Sequence, residues 1–93
     1  MNKAIGLLEV QAMVAAIAGL DAMCKTADVR LIHVEKRLGG RLVTLVIDGT
    51  VSDVTAACEA GKVAAAEVGN VKLCEVIANP HPEITKHLYT DKL

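Results

Sequence analysis

Two alanine-rich segments with helical spacing interrupt four short runs rich in β-branched residues. This alternation, more than any single motif, limits what the chain can fold into. Residues 5–10 read as a strand. From Gln11 the period changes: Met13, Ile17, Leu20 and Cys24 recur at i, i+4, i+7 and i+11, the expected buried stripe of a helix ending near Ala27. Residues 29–35 alternate as a second strand, Leu38-Gly39-Gly40 breaks it, and residues 42–47 form a third, antiparallel to the second through the glycine turn. Thr50 is placed to cap a second helix, with Asp53 three residues on as its partner. The stripe of that helix is Val54, Cys58, Gly61, Ala65 and Val68, and Gly69-Asn70 reads as its stop. A fourth strand spans 71–78, and a short polar segment after Pro80 and Pro82 forms a last helical turn or two. The order β-α-β-β-α-β predicts an α+β fold: a split, ferredoxin-like antiparallel sheet with helices on one face and a short C-terminal helix.

With 93 residues the chain is one domain, 1–93, in which 89–93 is expected to be a flexible tail. So short a chain buries a modest fraction of its surface and needs additional stabilisation. Disulfides are not expected to supply it. Cys24, Cys58 and Cys74 are odd in number, form no C-x-x-C pair and sit in apolar surroundings, so they read as reduced, half-buried small hydrophobes. Association with further copies is the simpler source. Apolar residues make up 53% of the sequence, yet there is no Trp, no Phe and a single Tyr. That is more small aliphatic surface than a monomer of this size hides.

Several functions are disfavoured. The net charge is −1, with no basic run and no aromatic platform, which argues against nucleic acid. No apolar run approaches the ~20 residues needed to span a bilayer. No H-E-x-x-H, G-x-S-x-G, P-loop or dinucleotide fingerprint occurs. Lys62 follows Gly61 in mid-helix without a phosphate loop before it. His33 lies within a strand, His81 stands between two prolines, and His87 is in the last segment. Glu9 and Glu35 end strands, where solvation is the simpler reading than paired acid–base chemistry. No enzyme, cofactor or metal centre is expected.

The informative segment is Glu35-Lys36-Arg37-Leu38-Gly39-Gly40-Arg41. Two adjacent glycines permit positive φ and leave backbone amides open, and Arg37 and Arg41 flank them. One copy makes a shallow site. Several copies around a symmetry axis make a polar, positively biased ring.

Gly6-Leu7-Leu8-Glu9-Val10, Met13-Val14-Ala15-Ala16-Ile17 and Asp21-Ala22-Met23-Cys24-Lys25-Thr26-Ala27-Asp28-Val29 resemble the opening of the single-domain, hexamer-forming shell proteins of bacterial microcompartments. Glu35-Lys36, Leu42-Val43-Thr44, Asp48-Gly49, Ala60-Gly61, Val68-Gly69, Val76-Ile77 and Pro80-His81 continue the likeness over roughly residues 3–88, nearest to the catabolic ethanolamine and propanediol types. The resemblance implies flat hexamers tiling edge to edge into a shell around enzymes in the cytoplasm. Its partners would be further copies, other shell proteins, the enclosed enzymes and small polar metabolites in transit. It implies that Arg37, Leu38, Gly39, Gly40 and Arg41 line a central pore, and that Lys25, Asn79 and His81 lie at the edge between hexamers. The turn is one residue longer than is usual in that family and holds no cysteine for a pore metal. Asn79 replaces a typical arginine, and Val10 a common capping threonine. The competing reading, from the fold alone, is a small regulatory ligand-binding domain.

Overall fold

The computed structural model describes residues 3–89. The elements are β1 (Ala4–Gln11), α1 (Met13–Thr26), β2 (Arg30–Arg37), β3 (Leu42–Gly49), α2 (Val51–Ala66), β4 (Val71–Ala78) and α3 (Pro82–Leu88). The sheet order is β2-β3-β1-β4, every neighbouring pair antiparallel. This is the split arrangement expected, with the hairpin β2–β3 at one side and β4 as the opposite edge.

Alternation along the strands sends one set of side chains to each face. Leu8 and Val10 of β1 and Val43, Leu45 and Ile47 of β3 meet Ala15, Ala16 and Met23 of α1 and Val54, Ala57, Cys58 and Ala65 of α2 in the main core. Full burial of a side chain such as Leu8 or Val54 contributes roughly 1.5–3 kcal/mol. On the other face, Ile5, Ile32 and Val46 form a smaller cluster covered by Leu7, Leu88 and Tyr89. The last segment thus crosses to the face that α1 and α2 leave open.

The buried stripe of α1 differs from the one read in the sequence. Ala15, Ala16, Gly19 and Met23 face the core, whereas Val14 is 69% exposed, Ile17 55% and Met13 36%. Leu20 packs at the margin of the core and Cys24 is exposed. Both stripes have helical spacing, and side-chain size misled the choice between them. Two closely packed helices above a sheet leave room for alanine and glycine at their crossing, so the larger residues turn outward. Cys24 therefore departs from the half-buried reading given to all three thiols, which Cys58 and Cys74 fit more nearly. In α2 the expected stripe holds from Val54 to Ala65, joined by Ala57, while Val68 lies outside the helix and exposed.

The caps follow local chemistry. Thr50 caps α2: the Asp53 amide donates to its Oγ1 at 3.1 Å, and its hydroxyl donates to the Asp53 carboxylate at 3.0 Å. Helix α1 has no side-chain cap, and its N-cap position is held by Ala12 at φ 76°, ψ 147°. The stop of α2 is not a left-handed glycine. Glu67 closes the helix in right-handed geometry. Gly69 is instead required by a close approach, since a Cβ there would stand 2.8 Å from Ala15 Cβ and 2.9 Å from the Gln11 carbonyl oxygen. In α3 the Glu83 amide donates to Nδ1 of His81 at 3.1 Å. Of the expected tail, Tyr89 packs on the sheet, and 90–93 lie outside the described residues.

Candidate functional site

The strand register separates the candidate residues into two groups. At one end of the sheet Arg37 pairs with Leu42 and Leu42 with Gln11; at the other Arg30 pairs with Asp48, and Ala4 with both Gly49 and Ala78. Seven residues of strand put these ends about 23 Å apart. The turn lies at the first end. Because α1 leaves β1 there and runs back toward the start of β2, Lys25 in its last turn lies at the second end, as do Asn79 and His81 after β4.

The turn itself, Leu38–Gly40, is a tight left-handed turn closed by the Arg41 amide on the Leu38 carbonyl. Leu38, Gly39 and Gly40 all have positive φ, at 56°, 66° and 88°. The glycines adopt this conformation without a Cβ penalty, and space around both is open. Leu38, which lacks that freedom, bears the strain of the turn. The Leu38 carbonyl accepts the Arg41 amide at 3.3 Å and Arg41 Nε at 3.0 Å, which folds that guanidinium back along the turn. Arg37 leans toward Glu35, at 3.8 Å. Leu38 is left at the tip, 65% exposed. The base of the turn is tied to α1 by the Ala12 amide, which donates to the Arg41 carbonyl at 3.1 Å.

Glu9 and Glu35 do not form an acid–base pair. Thr44 stands opposite both in the register, and its hydroxyl donates to Glu9 at 3.0 Å. Glu35 is engaged by His33 Nε2 at 3.2 Å.

At the far end Lys25 is exposed and paired with Asp21 at 2.8 Å, one helical turn back. The hydrogen bond and charge of Asp21 raise the Lys25 pKa above its ordinary value. Asn79 has φ 52°, a conformation its side chain tolerates, and its amide donates to the Lys3 carbonyl at 3.0 Å. His81 has a local task as the cap of α3.

Sequence reasoning gave no role to Asp48, which follows the third strand as read over 42–47. Its side chain is 1% exposed. It accepts from Arg30 Nε at 3.0 Å and Nη2 at 3.2 Å, from Lys3 at 3.4 Å and from the Tyr89 hydroxyl. Burial works against its ionised form. The hydrogen bonds of Arg30 and Tyr89 and the charge of Lys3 outweigh burial and hold the carboxyl below its usual range. The only hint in the sequence was an acidic residue closing an otherwise apolar strand.

Among the described residues no cluster of His, Cys, Asp and Glu is placed to hold a metal ion. No helix is long and apolar enough to cross a membrane.

Residues 4–80 match the BMC domain. The chain belongs to the BMC domain family. Shell protein PduA of Citrobacter freundii is 44% identical over 87 residues, covering 94% of this chain and 92% of PduA. Shell protein EutM of Escherichia coli K12 is 39% identical over 82 residues, covering 88% and 84%. The carboxysome assembly protein CcmO of Synechococcus elongatus is 42% identical over 85 residues, which are 91% of this chain but 30% of CcmO. Among solved structures, a microcompartment protein from Desulfitobacterium hafniense superposes with a TM-score of 0.84 at 30% identity, over 98% of this chain. This BMC domain spans about half the length of that structure, 49%.

Proposed function

We propose that this BMC protein forms a hexameric shell tile in which the turn 37–41 lines the central pore and the opposite end of the sheet forms the tile edge. The protein is a structural subunit of a bacterial microcompartment shell and not an enzyme, and it assembles with itself and other shell proteins. The observation that carries this reading is the near full-length match to PduA and EutM, both shell proteins. The separation of the turn from Lys25, Asn79 and His81 supports the finer assignment. A tile needs one end of each subunit at the axis and the other at the rim, and these residues occupy opposite ends of the sheet.

In such a ring Gly39 and Gly40 bring unobstructed backbone toward the axis. Leu38 projects beyond them, and the arginines stand to the side, Arg37 toward Glu35 and Arg41 along the turn. Arg41 bonds a carbonyl and not a carboxylate there, so its charge stays at the opening and favours small anionic or strongly polar metabolites over cations. The enclosed enzymes would be further partners, and the cytoplasm the setting.

Light scattering on the purified protein tests the assembly; a stable monomer at micromolar concentration and moderate salt overturns it. Crystals grown with sulfate test the opening. An anion on the six-fold axis at the glycine amides or Arg41 supports the assignment, and a turn far from the axis ends it.

A further inference from the structure

We propose that Cys58 and Cys74 form a dithiol pair that small-molecule disulfides convert to an internal disulfide, so that the contact of α2 with β4 is a redox modification site. The placement follows from register. Cys58 lies on the buried face of α2 with its sulfur directly over β1, where a Cβ on Gly6 would stand 2.8 Å from it. Gly6 pairs with Val76 of β4, and Cys74 is two residues along the same strand, on the same face. Cys74 Sγ lies 3.6 Å from the Cys58 carbonyl oxygen, so the Cys74 thiol reaches the very residue that carries the second sulfur. Register and this contact make the two cysteines neighbours across the packing of α2 on β4.

The two sulfurs are not equivalent. Cys58 is buried in the main core, whereas Cys74 is half-buried on an edge strand. Cys74 alone is open to a reagent. The Cys58 thiol beside it lowers its pKa; burial and the Glu59 and Glu75 carboxylates oppose this, and the nearby Lys62 ammonium adds to it, leaving a net fall. The same contact, with burial, raises Cys58. The reachable thiol thus has a resolving thiol beside it.

The reaction is a thiol–disulfide exchange in two displacements. The Cys74 thiolate attacks one sulfur of R–S–S–R, forming Cys74–S–S–R and releasing RS⁻. The Cys58 sulfur, giving up its proton, then attacks Cys74 Sγ, forms the Cys58–Cys74 bond and releases the second RS⁻. Two cysteine thiols are oxidised, one small disulfide is reduced, and the two protons end on two RSH. The product staples an edge strand to the helix above it.

The test uses the assembled Cys24→Ser protein, which removes the exposed third thiol, treated with oxidised glutathione. The expected product has lost two hydrogens in mass, retains no glutathione, and yields a peptide joining 58 to 74. Its urea midpoint rises over that of the reduced form. With Cys58→Ala added, glutathione should remain on Cys74. Lys62→Gln should slow the first displacement several-fold. A Cys24→Ser protein that keeps glutathione on Cys74 with Cys58 free overturns the proposal, as does a Cys74 that stays unmodified in the double variant.

Discussion

Gly19 of α1 and Gly61 of α2 face each other across the helix crossing, each so near the other's backbone that a Cβ on either would stand 3.2 Å from the opposite carbonyl oxygen. A Cβ on Gly19 would also meet Leu8 Cδ2 at 2.8 Å, and one on Gly61 would meet Met23 Cγ at 2.7 Å. The absence of two side chains sets how deeply the helix pair sits on the sheet. Gly61→Val should destabilise the protein by about 2 kcal/mol through overpacking, read as a lower urea midpoint. An unchanged midpoint would mean the helices have freedom to separate.

Asp48 ties β3, β2 and the last segment together, and its stabilisation depends on charge. Its folded pKa lies below the unfolded one, near about 4, so the contribution is complete above that pH and is lost as pH falls through the folded value. Asp48→Asn should therefore cost about 2 kcal/mol at neutral pH and flatten the acid limb of the stability profile. Since Arg30 and Lys3 keep one side in water, the larger loss of a fully buried broken pair is not expected. Chemical denaturation between pH 3 and 7 measures both effects; parallel profiles for the two proteins would contradict them.

Ala12 occupies a backbone conformation that glycine adopts far more readily, at φ 76° and ψ 147°. Ala12→Gly relieves strain of ~1–3 kcal/mol and adds up to ~1 kcal/mol of unfolded-state entropy cost. The net expectation is a gain of about 1 kcal/mol, seen as a higher melting temperature. A loss would show that the strain is absorbed elsewhere.

Lys25 is paired with Asp21 within its own helix and also suits the C-terminal end of the helix dipole. Asp21→Asn removes the local pair alone, while Lys25→Asp reverses the charge at the proposed rim. Electron microscopy should show sheets or tubes for Asp21→Asn and none for Lys25→Asp, with hexamers intact in both. Normal assembly of Lys25→Asp, or loss of its hexamer, would remove Lys25 from the edge.

The order of elements, the Gly39-Gly40 turn and the cap at Thr50 were legible in the residues alone, because each rests on neighbours in the chain: spacing, φ freedom, a side chain within reach of its own helix. The sequence also carried the family likeness, which is a property of order and spacing along the whole chain. The tertiary structure decided which face of α1 is buried, since Ala15 and Gly19 are chosen over Ile17 by the narrow gap between two helices and a sheet, and that gap exists only once all three meet. It decided the role of Gly69, set by Ala15 and Gln11 far away in sequence, and that of Asp48, whose partners at positions 3, 30 and 89 converge only after the strands pair and the last segment crosses the sheet.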